Sequence, residues 1–254
     1  IEFIHDIPNR RQTIADRLGN VTHHEYDLRG NVVRTTDPLG HETLREYDSN
    51  NNETRTIDAL GNLTERAYDE NNNLLTQTEH AVDNDGNPVA YITAFAYDGS
   101  GNPTSIVDPG GNTTIFAYDA NGNLLTMADA EGSATAFAYD TQGNLTSMTD
   151  ALGNVTTHTY DSFGRVTSSV VSDSLSVTIQ ATSFTYDGVG NQTSLTQTRT
   201  LYDGYGNIMG TETLFTEYQY DLESRLTKTI HPNGATSETV YNAAGQVVRQ
   251  TDPL

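Results

Sequence analysis

The chain has 254 residues, no cysteine and no tryptophan, 35% hydrophobic residues and a mean hydropathy of −0.55, which is little apolar material for a thick globular core. Its formal charge of −21 sets up a field that repels nucleic acid and anionic lipid. Without thiols there is no disulfide framework or thiolate metal site. No apolar run is long enough for a membrane-spanning helix, and residues 1–12 carry charges where a signal peptide has its apolar stretch.

Residues 1–18 read as an irregular lead-in. From Gly19-Asn20 onward a pattern takes over. Tyr26-Asp27, Tyr47-Asp48 and Tyr68-Asp69 are spaced by 21 residues, as are Tyr97-Asp98, Tyr118-Asp119, Tyr139-Asp140 and Tyr160-Asp161. The beat loosens through Tyr186-Asp187 and Tyr220-Asp221 and ends at Tyr241-Asn242. A fixed period of this kind marks a repeat architecture, so residues 1–254 read as one array.

Each repeat holds two turn signals. The first is Tyr-Asp-x-x-Gly-Asn, as in YDLRGN at 26–31, YDANGN at 118–123 and YDTQGN at 139–144. The second is Asp-x-x-Gly, as in DPLG at 37–40, DALG at 58–61 and 150–153, and DPGG at 108–111. Asp at the first position bonds backbone N–H groups further on, and Gly at the fourth takes a positive φ. Turns are therefore expected at 27–30, 37–40, 58–61, 69–72, 108–111, 119–122, 140–143 and 150–153, with Gly30, Gly40, Gly61, Gly122 and Gly143 left-handed. Between turns lie short runs rich in Thr, Val, Leu, Ile, Phe and Tyr, such as VVRTT at 32–36 and TTIFAY at 113–118, which read as strands of an antiparallel meander. No segment keeps a helical apolar period over three turns.

In the strand ending at Tyr118, Asn112, Thr114, Phe116 and Tyr118 share one face and Thr113, Ile115 and Ala117 the other. Both faces mix apolar and polar residues, which suits a single-layer or hollow structure. The repeat tyrosines Tyr26, Tyr47, Tyr68, Tyr97, Tyr118, Tyr139, Tyr160, Tyr186 and Tyr220 are expected to end strands, with rings packed on neighbouring repeats and hydroxyls on water or a polar partner. A well-buried ring would make Tyr118→Ala cost about 2–4 kcal/mol. Three longer intervals predict extended hairpins, turning at DNDGN (83–87), SDSL (172–175) and DGYG (203–206).

No nucleophile elbow or phosphate loop is present. His23 and His24 are adjacent and point to opposite faces of a strand, so they cannot both ligate one metal; the other histidines are scattered. Asp83 and Asp85 in DNDGN are the one candidate calcium pair, against the plainer reading of an Asx-rich turn. The Asn-x-Thr sequons, at Asn52 and Asn144 for example, arise from the repeat and read as turn chemistry.

Tyr-Asp-x-x-Gly-Asn alternating with Asp-Ala-Leu-Gly or Asp-Pro-Leu-Gly resembles the YD repeats of the Rhs family, from about Gly19 to Leu254. The resemblance implies a long β-sheet that spirals into a hollow shell. In bacterial Rhs proteins and Tc toxin C components that shell encloses a toxic domain; teneurins and wall-associated proteins carry related repeats. The aspartyl self-cleavage segment of the bacterial proteins has no counterpart here. The Asp-Pro pairs Asp37-Pro38, Asp108-Pro109 and Asp252-Pro253 read as repeat turns. GQVVRQTDPL at 245–254 matches GNVVRTTDPL at 30–39 and stops inside a turn, as an excerpt of a longer protein would. The expected function is a non-enzymatic wall segment, secreted or at the bacterial surface. Its partners would be the rest of a longer chain or copies of itself, with no cofactor. The alternatives are an adhesion or carbohydrate-binding module with glycan partners, or a self-assembling tube or filament.

Overall fold

The computed structural model describes residues 1–252; Pro253, read as part of a turn, lies outside the described residues. The described chain is all-β, with 22 strands and no helix. It divides into two units, one of Ile1–Tyr118 with Ala128–Gly132, the other of Asp119–Met127 with Ser133 onward.

The first unit contains β1 (Glu2–Asp6), β2 (Arg11–Ala15), β3 (Val21–Tyr26), β4 (Val32–Thr36), β5 (Glu42–Tyr47), β6 (Glu53–Ile57), β7 (Leu63–Tyr68), β8 (Leu74–Val82), β9 (Pro88–Tyr97), β10 (Pro103–Val107) and β11 (Thr113–Tyr118). After β12 (Leu124–Ala128), the second unit continues with β13 (Ala134–Tyr139), β14 (Leu145–Thr149), β15 (Val155–Tyr160), β16 (Val166–Ser172), β17 (Thr178–Tyr186), β18 (Gln192–Tyr202), β19 (Ile208–Tyr220), β20 (Leu226–Ile230), β21 (Thr236–Tyr241) and β22 (Val247–Thr251). Within each unit every strand pairs antiparallel with the next, from β1 to β11 and from β13 to β22. Each unit is a meander one layer thick, and no described side chain is fully buried.

The turns fall where the sequence places them. In the 140–143 turn, Gly143 N donates to Asp140 O at 3.1 Å and Asp140 N donates to Asn144 O at 2.9 Å. The same pair of bonds closes the turns at 27, 37, 58, 69, 108, 119 and 150. Gly30, Gly40, Gly61, Gly122 and Gly143 have φ between 84° and 91°. The long hairpins turn at Asp83–Gly86 and Asp203–Gly206 as expected, whereas the third turns at Asp173–Ser176, one residue later than SDSL, because Asp173 rather than Ser172 supplies the capping carboxylate.

Residues 1–18, expected as an irregular lead-in, contain the β1–β2 hairpin. It turns at Ile7–Arg10 without any glycine, Arg10 itself taking φ 53°. The two faces are also less alike than the composition suggests. In β11, Thr114, Phe116 and Tyr118 are half-buried while Ile115 and Ala117 stand exposed. With no ring fully buried, Tyr118→Ala falls short of the well-packed case.

A left-handed glycine with open space around it isolates the backbone cost of a side chain. Gly143 has φ 86° and nothing within 4 Å of an added Cβ. Gly143→Val is expected to destabilise by about 1–3 kcal/mol and Gly143→Asn by clearly less, because Asn tolerates this region. Urea midpoints of the two variants check the order.

Candidate functional site

The features that recur in every repeat are the turn at the end of the tyrosine strand and the tyrosine beside it. The turn is built on its aspartate. Asp140 Oδ1 accepts N–H bonds from Gln142 and Asn144, each 2.9 Å, and its Oδ2 accepts from Asn144 Nδ2 at 2.9 Å. A carboxylate holding three donors stays ionised to unusually low pH. The Asn144 amide, then backbone N–H groups, pull the Asp140 carboxyl down against the opposing effect of burial. At Asp27, burial pushes up, but Asn31, backbone N–H groups and Arg29 together hold the carboxyl at about 2.

The return strand then carries a β-bulge. Tyr160 faces Val166 while Thr159 faces Ser168, leaving Thr167 as the extra residue. The same shift accompanies Tyr26, Tyr47, Tyr68, Tyr97, Tyr139, Tyr186, Tyr220 and Tyr241. The bulge explains the threonine of the Asn-x-Thr sequons. Thr54 and Thr146 donate from Oγ1 to the carbonyls of Glu46 and Ala138, at 3.3 and 3.1 Å. The sequon asparagines are likewise committed, since Asn52 and Asn144 each donate their side-chain N–H to the turn aspartate.

Between hairpins, from β4–β5 onward, the backbone ladder stops short of the tyrosine edge. β14 and β15 pair only from Ser147↔Thr157 to Thr149↔Val155, so the strands part toward the tyrosine edge. Across this gap the Tyr160 hydroxyl donates to the Leu145 carbonyl at 2.7 Å. Tyr47, Tyr68, Tyr97, Tyr186, Tyr220 and Tyr241 make the same bond to Val32, Glu53, Leu74, Val166, Gln192 and Leu226, at 2.8–3.1 Å. Each acceptor is the first residue of the preceding return strand, whose carbonyl the interrupted ladder leaves free. Tyr26 differs because β2 and β3 stay paired up to Glu25; its hydroxyl donates instead to Gln12 Oε1 at 2.8 Å. Tyr118 and Tyr139 lie at the same position without such a hydrogen bond.

Two side-chain links reinforce the seam. Asn31 Nδ2 donates to Asn51 Oδ1 at 2.8 Å and Asn52 Nδ2 to Asn72 Oδ1 at 2.7 Å. Asn51 and Asn72 occupy the left-handed fourth turn position, with φ 68° and 67°, where Gly usually sits. Their inter-repeat bond offsets the backbone cost. Where Arg replaces the fifth-position Asn, it stacks on the next tyrosine. Arg165 lies 4.5 Å from the Tyr186 ring centroid and Arg225 4.8 Å from Tyr241, each also bonded to its own turn aspartate.

The candidate calcium pair is part of this turn chemistry. Asp83 Oδ1 accepts N–H bonds from Asp85 and Asn87 at 2.9 and 2.8 Å, as its counterparts do elsewhere. Among the described residues no group of three or more His, Asp or Glu converges on a metal position. His23 and His24 turn opposite ways, to Thr13 and Thr35.

Two outcomes follow. Removing the Tyr160 hydroxyl by Tyr160→Phe is expected to cost about 0.5–1.5 kcal/mol. Tyr118→Phe, with no bond to lose, is expected to stay within about 0.5 kcal/mol; denaturant midpoints of the pair check this. The turn aspartates also fix the acid limb. Most of them, Asp27 and Asp140 included, have lowered folded pKa values, so they stabilise the fold above the unfolded value of about 3.9, and that contribution is lost as pH falls through the folded values. Stability is expected to hold above about pH 5 and to fall steeply from about pH 4 toward 2, with Asp27 protonating at about 2. Urea midpoints measured from pH 2 to 7 check the direction.

The RHS Repeat family profile matches residues 9–42, 47–94, 97–138 and 139–176. No curated protein matches the chain. Among solved structures, the chain is similar to the crystal structure of TcdB2-TccC3-Cdc42, at 15% identity and TM-score 0.46, over 95% of this chain and 16% of that one. It is also similar to the Photorhabdus luminescens Tc holotoxin pore with a TccC3 mutation, at 14% identity and TM-score 0.41, over 94% of this chain and 19% of that one. The chain thus spans less than a fifth of either. With the profile matched over more than half of its length, the chain belongs to the RHS repeat family.

Proposed function

We propose that this chain is a non-enzymatic wall segment of a longer secreted or surface RHS protein, in which the repeat sheet encloses a toxin or other cargo domain. The observation that carries the reading is the absence of any fully buried side chain among the described residues of an RHS repeat array. The hydrogen-bonding capacity of the repeat is spent on joining hairpin to hairpin, so what it makes is an extended sheet with two accessible faces rather than a pocket. Its turn aspartates and seam tyrosines serve the wall, and the negative charge keeps so much β-surface soluble.

The test is electron microscopy and trypsin digestion of the full-length polypeptide that carries these repeats. The expected particle is hollow, with the repeats as its wall and a non-repeat domain that resists trypsin at neutral pH and becomes open to pepsin once acid below about pH 4 loosens the turns. A non-repeat domain cut as fast in the particle as in isolation would overturn enclosure. A solid or fibrous repeat region would overturn the wall.

A further inference from the structure

The β18–β19 hairpin is the longest in the chain and outruns its neighbours. On one side β17 follows β18 as far as Gln180↔Arg199. On the other, β20 pairs with β19 only from Glu217↔Ile230 to Tyr220↔Leu226. From Ile208 to Thr216, β19 is bonded to β18 alone, and its outward N–H and C=O groups have no partner among the described residues. An unpaired row of alternating donors and acceptors has one macromolecular complement, another extended backbone.

The side chains along this edge favour an occupant rather than fending one off. Ile208 and Met209 are 55% and 71% exposed, and Leu214 and Phe215 flank the edge further in. Apolar anchors thus lie on both faces, ready for cross-strand pairs. The usual guards of a free edge, lysine or proline, are missing from Ile208–Thr216. The rival edge, Pro88–Thr93 of β9, is shorter and opens with a proline that cannot donate. The charges on β19 are both negative, Glu212 and Glu217, and only Glu212 has a cationic partner, Arg199 Nε at 2.6 Å across the hairpin. A second copy of the chain would bring the same two glutamates and another −21 to the contact.

The geometry points to Ile208–Thr216 of β19 as a strand-addition site for an extended peptide of β-branched residues carrying lysine or arginine. The test is hydrogen–deuterium exchange on the full chain with a synthetic peptide that alternates threonine and valine and carries two lysines. Two further versions of the peptide are N-methylated on opposite alternate amides. With peptide at about ten times its Kd, outward amides of Ile208–Thr216 are expected to exchange about tenfold more slowly. Only one methylated isomer should reproduce the effect, because only one edge of the added strand faces β19. No slowing at about 1 mM peptide overturns the site, as does equal slowing by both isomers. Protection of the same amides on raising protein concentration without peptide would assign the edge to a second copy and overturn the partner proposed.

Discussion

The structure depends on one hydrogen bond, from a repeat tyrosine's hydroxyl to the carbonyl that opens the preceding return strand. A sheet one layer thick has no core to hold strand against strand; each hairpin is closed by its own turn, but hairpin must still be joined to hairpin. The backbone ladder does this only at the far edge, as in the three pairs between β14 and β15. At the near edge the bulge frees a carbonyl, and Tyr160 reaches it. The ring spans the gap as it does so, which explains why His158 and Tyr160 on the tyrosine face are half-buried while Thr157 and Thr159 on the other face are open.

The aspartate beside each tyrosine sets the conditions for that bond. Its carboxylate gathers the turn N–H groups, and the left-handed fourth residue returns the chain in the register that leaves one residue over. Tyrosine, aspartate and glycine therefore act as one device. Net charge follows from the same device, since many of the acidic groups are turn carboxylates held ionised by hydrogen bonds rather than paired with cations. The acidity of a repeat protein built this way follows from its turns.

The turns were legible in the sequence almost to the residue, because Asp-x-x-Gly states its conformation in four positions. The strands between them followed from their bounds. The seam was less legible. The sequence places Tyr160 at a strand end but says nothing of Leu145, since the reach between them depends on the bulge at Thr167, and a bulge has no composition of its own. Residues 1–18 hid a hairpin because its turn, Ile7–Arg10, uses neither Gly nor a preceding tyrosine; Asp6 and Asn9 were the available signal. The free edge of β19 was half visible. The interval from Tyr186 to Tyr220 announced a long hairpin, but only the lengths of β17 and β20 show which side of it is bare.

The central claim is that the tyrosine bond, rather than the ring alone, holds neighbouring hairpins together. The measurement that tests it most directly compares amide exchange at two seams of the unaltered protein, after correction for intrinsic rates. The β14–β15 seam has the Tyr160 bond, whereas the β10–β11 seam has the same backbone register but no bond from Tyr118. The account predicts slower exchange along Ser147–Thr149 and Val155–Thr157 than along Ser105–Val107 and Thr113–Ile115. Equal protection at the two seams, or the reverse order, would contradict it.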